Sequence, residues 1–167
     1  RFLVILVSFL TGMMSGALVG GFNGLLKAKL NINEVLVAIM LNYIMKFFAS
    51  YCVHGPMKDP KSKVMQSPSI GQGYMLTKIL PKSQLTTALI LGLILAALLY
   101  VFINKTGAGF ALRAVGENGS AAQAAGISMV KTIIITMAAS GAIAALTGVT
   151  EVFGKTGKFV DGFSPGY

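Results

Sequence analysis

Four long apolar runs separated by polar connections set the pattern of this chain, at residues 2–26, 35–53, 85–103 and 132–153. Even the shortest holds 19 residues. At about 1.5 Å of rise per residue, that is enough helix to cross a hydrocarbon core of roughly 30 Å. The predicted fold class is all-α: a polytopic transmembrane helical bundle of about four spans, forming one domain over residues 1–167. Between the runs lie a short polar connection at 27–34, a long exposed loop at 54–84 and a small-residue stretch at 107–129. The long loop is punctuated by Gly55, Pro56, Pro60, Pro68, Gly71, Gly73 and Pro81. Residues 154–167 read as a further loop.

The exceptions inside the runs carry the chemistry. In the first run Gly12, Gly16, Gly20 and Gly24 recur every four residues. Lipid gives two helices no hydrophobic reason to associate, so a continuous small-residue seam predicts close backbone packing rather than a pore lining. In the second run Glu34, Ala38, Asn42, Lys46, Ser50 and His54 form one i, i+4 ribbon. A lysine near the centre of a span costs ~3 kcal/mol on insertion scales, so Lys46 must face protein or water, or snorkel. Ionisable groups in such a place are functional candidates, and Glu34, Asn42, Tyr43 and Lys46 are read as facing a translocation path. The alternative is that Lys46 snorkels while Asn42 bonds a neighbouring helix. The third run is almost wholly aliphatic, interrupted only by Thr86, Thr87 and Gly92. The fourth repeats Ser140, Ala144, Thr147 and Glu151, with Gly141 and Gly148 a heptad apart beside them. That side suits close packing or a wet path, with Glu151 either at the interface, the preferred reading, or an inward-facing acid.

The stretch 107–129 predicts a short polar helix held between two spans. Asn118 is a good N-cap and Gly126 supplies a left-handed C-terminal stop. About seven residues remain between them, roughly 10 Å of helix. Ser120, Ala121, Ala122, Ala124 and Ala125 are small, so such a helix buries little apolar area but offers a compact knob for a groove on another protein. Arg113 and Glu117 flank it as charged handles.

Composition narrows the class. With 54% hydrophobic and 11% charged residues and a mean hydropathy of +0.75, the chain is too apolar for an ordinary soluble domain. Arg1 leads straight into an apolar run and Tyr167 closes a Gly-rich stretch, which suggests a piece of a longer polypeptide. A cleaved signal peptide is the competing reading of the first run, but the apolar stretch continues past Gly20 without a clear cleavage site. Cys52 is the single cysteine, so no intrachain disulfide can form. No Cys/His metal spacing, Ser/His/Asp set or cofactor motif is present, and GKTGK at 154–158 lacks the preceding glycine of a phosphate loop, Val149 standing there. The net charge of +9 is spread over the connections, which favours anionic membrane lipid over nucleic acid as counter-charge.

Residues 111–118 (ALRAVGEN), with Ala121, Ala122 and the AGI of 125–127, resemble the cytoplasmic coupling loop of ABC-importer permeases for branched-chain amino acids, simple sugars and nucleosides. The resemblance implies that Arg113, Gly116, Glu117, Asn118, Ala121, Ala122 and Gly126 dock on a separate ATP-hydrolysing subunit, the chain itself not being an enzyme. It further implies a second permease subunit, an extracellular or lipoprotein substrate-binding protein, and a multi-pass location in the bacterial cell membrane. The chain departs from the family at Gly119, where proline is common; glycine is less preorganised for a first helical position. Residues 25–44 (LLKAKLNINEVLVAIMLNYI) and 55–60 (GPMKDP) are similar to the purine-nucleoside branch, with departures at Met45 and Lys46. A simple-sugar permease is the runner-up, and a membrane assembly subunit without a transport path is a rival of another class, against which the polar ribbon speaks. An ion-driven carrier would need no docking helix.

The coupling resemblance puts 105–131 and 27–34 on the cytoplasmic side and the proline-rich loop outside. Basic residues vote the other way: that loop holds Lys58, Lys61, Lys63, Lys78 and Lys82, against Lys27, Lys29, Lys105, Arg113 and Lys131 opposite. The motif is given the greater weight.

Overall fold

A computed structural model describes residues 2–58, 66–70 and 87–160. Most of the proline-rich loop, the predicted start of the third span at 85–86 and the closing loop from 161 onward lie outside the described residues. Among the described residues six α-helices follow one another: α1 (Phe2–Leu30), α2 (Glu34–His54), α3 (Ala88–Lys105), α4 (Gly107–Glu117), α5 (Gly119–Ala124) and α6 (Met129–Glu151), with a π-helical turn (Val152–Thr156) after α6. Four of these, α1, α2, α3 and α6, are long and apolar enough to cross a membrane. The fold is an all-α polytopic bundle, and among the described residues the single β contact is an isolated bridge between Gln66 and Val160.

The helix ends are set by local chemistry that hydropathy does not register. The first helix continues four residues past the predicted end at 26, carrying Lys27 and Lys29 in its last turn, where cations complement the helix dipole. Asn31 stops it with φ +51°, a left-handed conformation that asparagine tolerates better than most residues. Asn33 then caps α2, its side-chain oxygen accepting from the Val35 N–H at 3.0 Å. The connection predicted over 27–34 is thus a three-residue turn, 31–33. At the same end of the bundle, α6 starts three residues before the predicted 132 because Ser128 caps it, accepting from the Lys131 N–H at 3.4 Å.

The bundle is held together chiefly by α1 against α6. A Cβ built on Gly16 would strike the carbonyl oxygen of Gly141, one on Gly20 the carbonyl oxygen of Met137, and one on Gly141 the carbonyl oxygen of Gly16. At Gly24 the same Cβ would sit 3.0 Å from the Met137 Cβ, and at Gly12 2.5 Å from the Val149 Cγ2. The predicted glycine seam is therefore a packing seam whose partner row on α6 is Met137, Gly141, Ala145 and Val149. Gly148 takes no part, since a Cβ there meets nothing within 4 Å. The Ser140–Ala144–Thr147 side of α6 is exposed, which leaves it unused for packing.

The other two spans are held less tightly. The second helix buries only Val37 and Val53, and α3 buries no residue. Exposed Leu, Ile and Phe side chains cover both, as expected where the surrounding medium is lipid.

Candidate functional site

Two regions gather the residues singled out by the sequence. One is a cavity of about 730 Å³ between α1, α2 and α6. Gly16, Gly20 and Asn23 line it from α1, Ala38 and Asn42 from α2, and Ala144 from α6. Its size lies within the range of ligand pockets, roughly 300–1,000 Å³. Its polar side chains are Ser15, Asn23 and Asn42, and Ser15 is satisfied locally, donating to the Gly12 carbonyl at 2.8 Å. That leaves the Asn42 amide as the exposed polar group of the lining, Asn23 being buried.

Of the four residues read as facing a path, the structure brings Asn42 to this cavity and does not bring the others with it. Tyr43, one residue on and so about 100° around the helix, is 58% exposed on the outside of α2. Lys46 is also exposed and is not part of the lining. Glu34 sits at the head of α2, eight residues from Asn42, its carboxylate oxygen Oε2 2.7 Å from Lys27 Nζ.

Asn23 is the residue that sequence reasoning passed over. It is only 8% exposed, so it is more than nine-tenths buried. Its Nδ2 donates to the main-chain carbonyl of Glu34 at 3.4 Å, and its Oδ1 is buried with no partner among the described residues. The signal was there, an amide inside the apolar run 2–26, but the glycines around it spoke more strongly for packing.

The second region is the connection between α3 and α6. Where one short helix was expected, there are two. Thr106 starts α4: its hydroxyl accepts from the Gly109 N–H at 3.1 Å and donates to the Phe102 carbonyl at 2.6 Å. The turn into α4 is so tight that a Cβ on Gly109 would strike the carbonyl oxygens of Phe102 and Ile103. Asn118 ends α4 and caps α5, its Oδ1 accepting from the Ala121 N–H at 3.1 Å and the Ser120 hydroxyl at 2.7 Å. After six residues α5 closes in a paired C-terminal motif. Ile127 N–H reaches the Ala122 carbonyl at 2.9 Å and Gly126 N–H the Gln123 carbonyl at 3.0 Å, with Gly126 at φ +84°. At Gly119 a side chain would press on the Met129 thioether, 3.2 Å from its sulfur.

On this platform Glu117, Asn118, Ala121 and Gly126 are exposed while Ala122 is 4% exposed and anchors α5 inward. Arg113 is exposed and its Nη1 lies 3.5 Å from Asn104 Oδ1 at the end of α3. Gly116 lines a smaller cavity of about 360 Å³ with Leu112 and Val115 of α4, Lys27 of α1, Glu34 of α2 and Thr136 of α6. The α1–α2 turn and the α4–α5 platform therefore share one end of the bundle. At the other end residues 66–70 run beside the segment after α6, with Ser67 N–H on the Phe159 carbonyl at 2.8 Å and Ile70 N–H on the Gly157 carbonyl at 2.7 Å.

A family model described as "Branched-chain amino acid transport system / permease component" matches residues 1–167. Among curated proteins, the nucleoside ABC transporter permease protein NupB of Lactococcus lactis is 33% identical over 96% of this chain and 46% of its own length. The guanosine ABC transporter permease protein NupP of Bacillus subtilis is 36% identical over 89% of this chain and 43% of its own length. The glucose ABC transporter permease protein TsgB13 of Haloferax volcanii is 29% identical over 95% and 44%. The chain thus spans less than half the length of these relatives. No solved structure matches it.

Proposed function

Because the chain belongs to the family of branched-chain amino acid transport system permease components, we propose that it forms part of the membrane subunit of an ATP-driven importer for nucleosides. ATP hydrolysis then belongs to a separate ATP-binding subunit seated on α4 and α5, where Arg113, Gly116, Glu117, Asn118, Ala121 and Gly126 meet it and Ala122 anchors α5 inward. That platform faces the cytoplasm, and residues 66–70 face the outside, from which a substrate-binding protein delivers cargo. A second permease subunit completes the path. The multi-pass location in the cell membrane follows from the family and from four membrane-length helices.

The observation that carries the nucleoside reading is the amide of Asn42 on the cavity between α1, α2 and α6. An amide offers both donors and acceptors, which suits the edge of a nucleobase and the hydroxyls of ribose, and the two relatives named for nucleoside and guanosine transport support it. Glucose transport in the name of a third relative keeps a simple sugar as the second reading. Removing one hydrogen-bonding partner leaves the ligand's group unpaired at ~1–3 kcal/mol. In the full-length transporter, Asn42→Leu should cut uptake of labelled adenosine or guanosine about tenfold while the ATP-binding subunit still co-purifies. Unchanged uptake, or loss of uptake and assembly together, would remove Asn42 from the path. Uptake of glucose or ribose but neither nucleoside would replace the substrate class.

A further inference from the structure

The 730 Å³ cavity and the 360 Å³ cavity are linked through the contact of Asn23 with Glu34. Glu34 lines the smaller one beneath α4, and its main-chain carbonyl receives the amide of Asn23, which lines the larger one. Its side chain is held from the same helix by Lys27, at 2.7 Å. Two residues of α1 four positions apart, hence on one face, thus grip the first residue of α2 by its backbone and by its carboxylate. Neither grip is strong. The amide bond, at 3.4 Å, lies beyond the usual 2.7–3.2 Å range, and both partners of the ion pair are about a third or more exposed, at 34% and 44%, which weakens it by solvent screening.

The Asn23 oxygen decides what this grip is for. A buried acceptor without a partner is disfavoured, and native structures keep such groups rarely and for a reason. Here it burdens only the arrangement in which the head of α2 is pressed against α1. If that head moves away, the amide is freed to meet water or a polar solute in the cavity, and the burden is relieved. We infer that Asn23, Lys27 and Glu34 form the gate of the path at its coupling-loop end: a weakly latched closure between α1 and the head of α2, set under α4 and kept near its opening point by the unpaired Asn23 oxygen. Across the smaller cavity, which Gly116 and Glu34 share, α4 faces the latch. The inference rests on the importer reading for what passes through, but the gate itself is measurable without transport.

The test uses the full-length permease assembled with its ATP-binding subunit in membrane vesicles, with Cys52 replaced by Ser and Leu41→Cys, half-buried on the cavity lining, as a reporter. An impermeant maleimide applied from the coupling-loop side reads opening as a labelling rate. Lys27→Gln and Glu34→Gln should each raise the rate several-fold, and the double variant no further, since both release the same contact. Asn23→Leu should lower it about tenfold. Leucine is of similar size, gives up only one long hydrogen bond, lifts the cost of the orphaned oxygen from the closed form and cannot be hydrated in the open one. A purely structural asparagine would give the opposite sign, because loosening the α1–α2 contact exposes the reporter. Labelling unmoved by both charge variants, or raised by Asn23→Leu, overturns the gate. If Asn23→Leu does not assemble, the two charge variants and their double decide alone. Normal nucleoside uptake with unmoved labelling would sink the gate and spare the importer, whereas the expected labelling without uptake of any solute would do the reverse.

Discussion

Substituting alanine for Gly141 tests the packing argument at its tightest point. The new Cβ would collide with the Gly16 carbonyl oxygen and sit 3.0 Å from the Gly20 Cα, where carbon atoms rest at about 3.5–4.0 Å. Relief requires α1 and α6 to part by roughly 0.5–1 Å, a gap that forfeits a quarter to a half of each dispersion contact along the seam. Forced insertion of a methyl into such a contact costs about 1–3 kcal/mol. Working against this, alanine is the better helix former by about 1 kcal/mol. Gly148→Ala supplies the control: it lies on the same helix and its Cβ meets nothing within 4 Å, so it gains the propensity without the collision. The propensity terms cancel between the two variants, and the difference in stability, from denaturant titration of the detergent-solubilised transporter, should be about 1–3 kcal/mol in favour of Gly148→Ala. Gly16→Ala combined with Gly141→Ala should cost less than the sum of the two, because one separation of the helices relieves both collisions. Equal stability of Gly141→Ala and Gly148→Ala would refute the seam.

Glu117→Lys, at the exposed end of α4, should leave membrane insertion normal and weaken association with the ATP-binding subunit about tenfold, as charge reversal at an interface rim does. Normal association in a pull-down would move the docking surface elsewhere. Ser69→Cys, exposed beside the segment after α6, should react in a Cys52→Ser background with an impermeant thiol reagent applied to intact cells. Reaction only in inverted vesicles would reverse the orientation and side with the count of basic residues.

Much of the fold was legible because a span announces itself by length and apolarity, and all four were found. What the pattern did not register was where helices stop. Caps are single residues: Asn31 and Ser128 moved ends by four and three positions, and Asn33 by one. The fourth helix went unseen because GAGFALRAV, at 107–115, is short and carries three small residues at its start; what builds it is the Thr106 cap and the bare backbone of Gly109, which lets the chain fold tightly against the end of α3. At the cavity, Asn42 was legible as an amide in an apolar run. Glu34 shared its i, i+4 ribbon, but two steps of that ribbon rise about 12 Å, which carries it out of the cavity to the helix head. Asn23 gave the same kind of signal as Asn42 and was masked by Gly20 and Gly24 on either side.

The contrast between the two α1 interfaces explains why the same helix can serve packing and movement at once. Against α6 it presents backbone to backbone through Gly16, Gly20 and Gly141, contacts that depend steeply on distance and lose much of their worth for a shift of half an ångström. Against α2 it presents Asn23 and Lys27, polar groups that exchange a protein partner for water at little net cost. A pull on the bundle therefore separates α2 from α1 before it separates α6 from α1. The sequence encodes this order by spending glycine where the helices must stay together and an amide and an ion pair where they must part. Exchanging the two kinds of contact, with an apolar residue at Asn23 and a bulkier one at Gly141, should produce a bundle that loosens along the α1–α6 seam while the head of α2 stays shut.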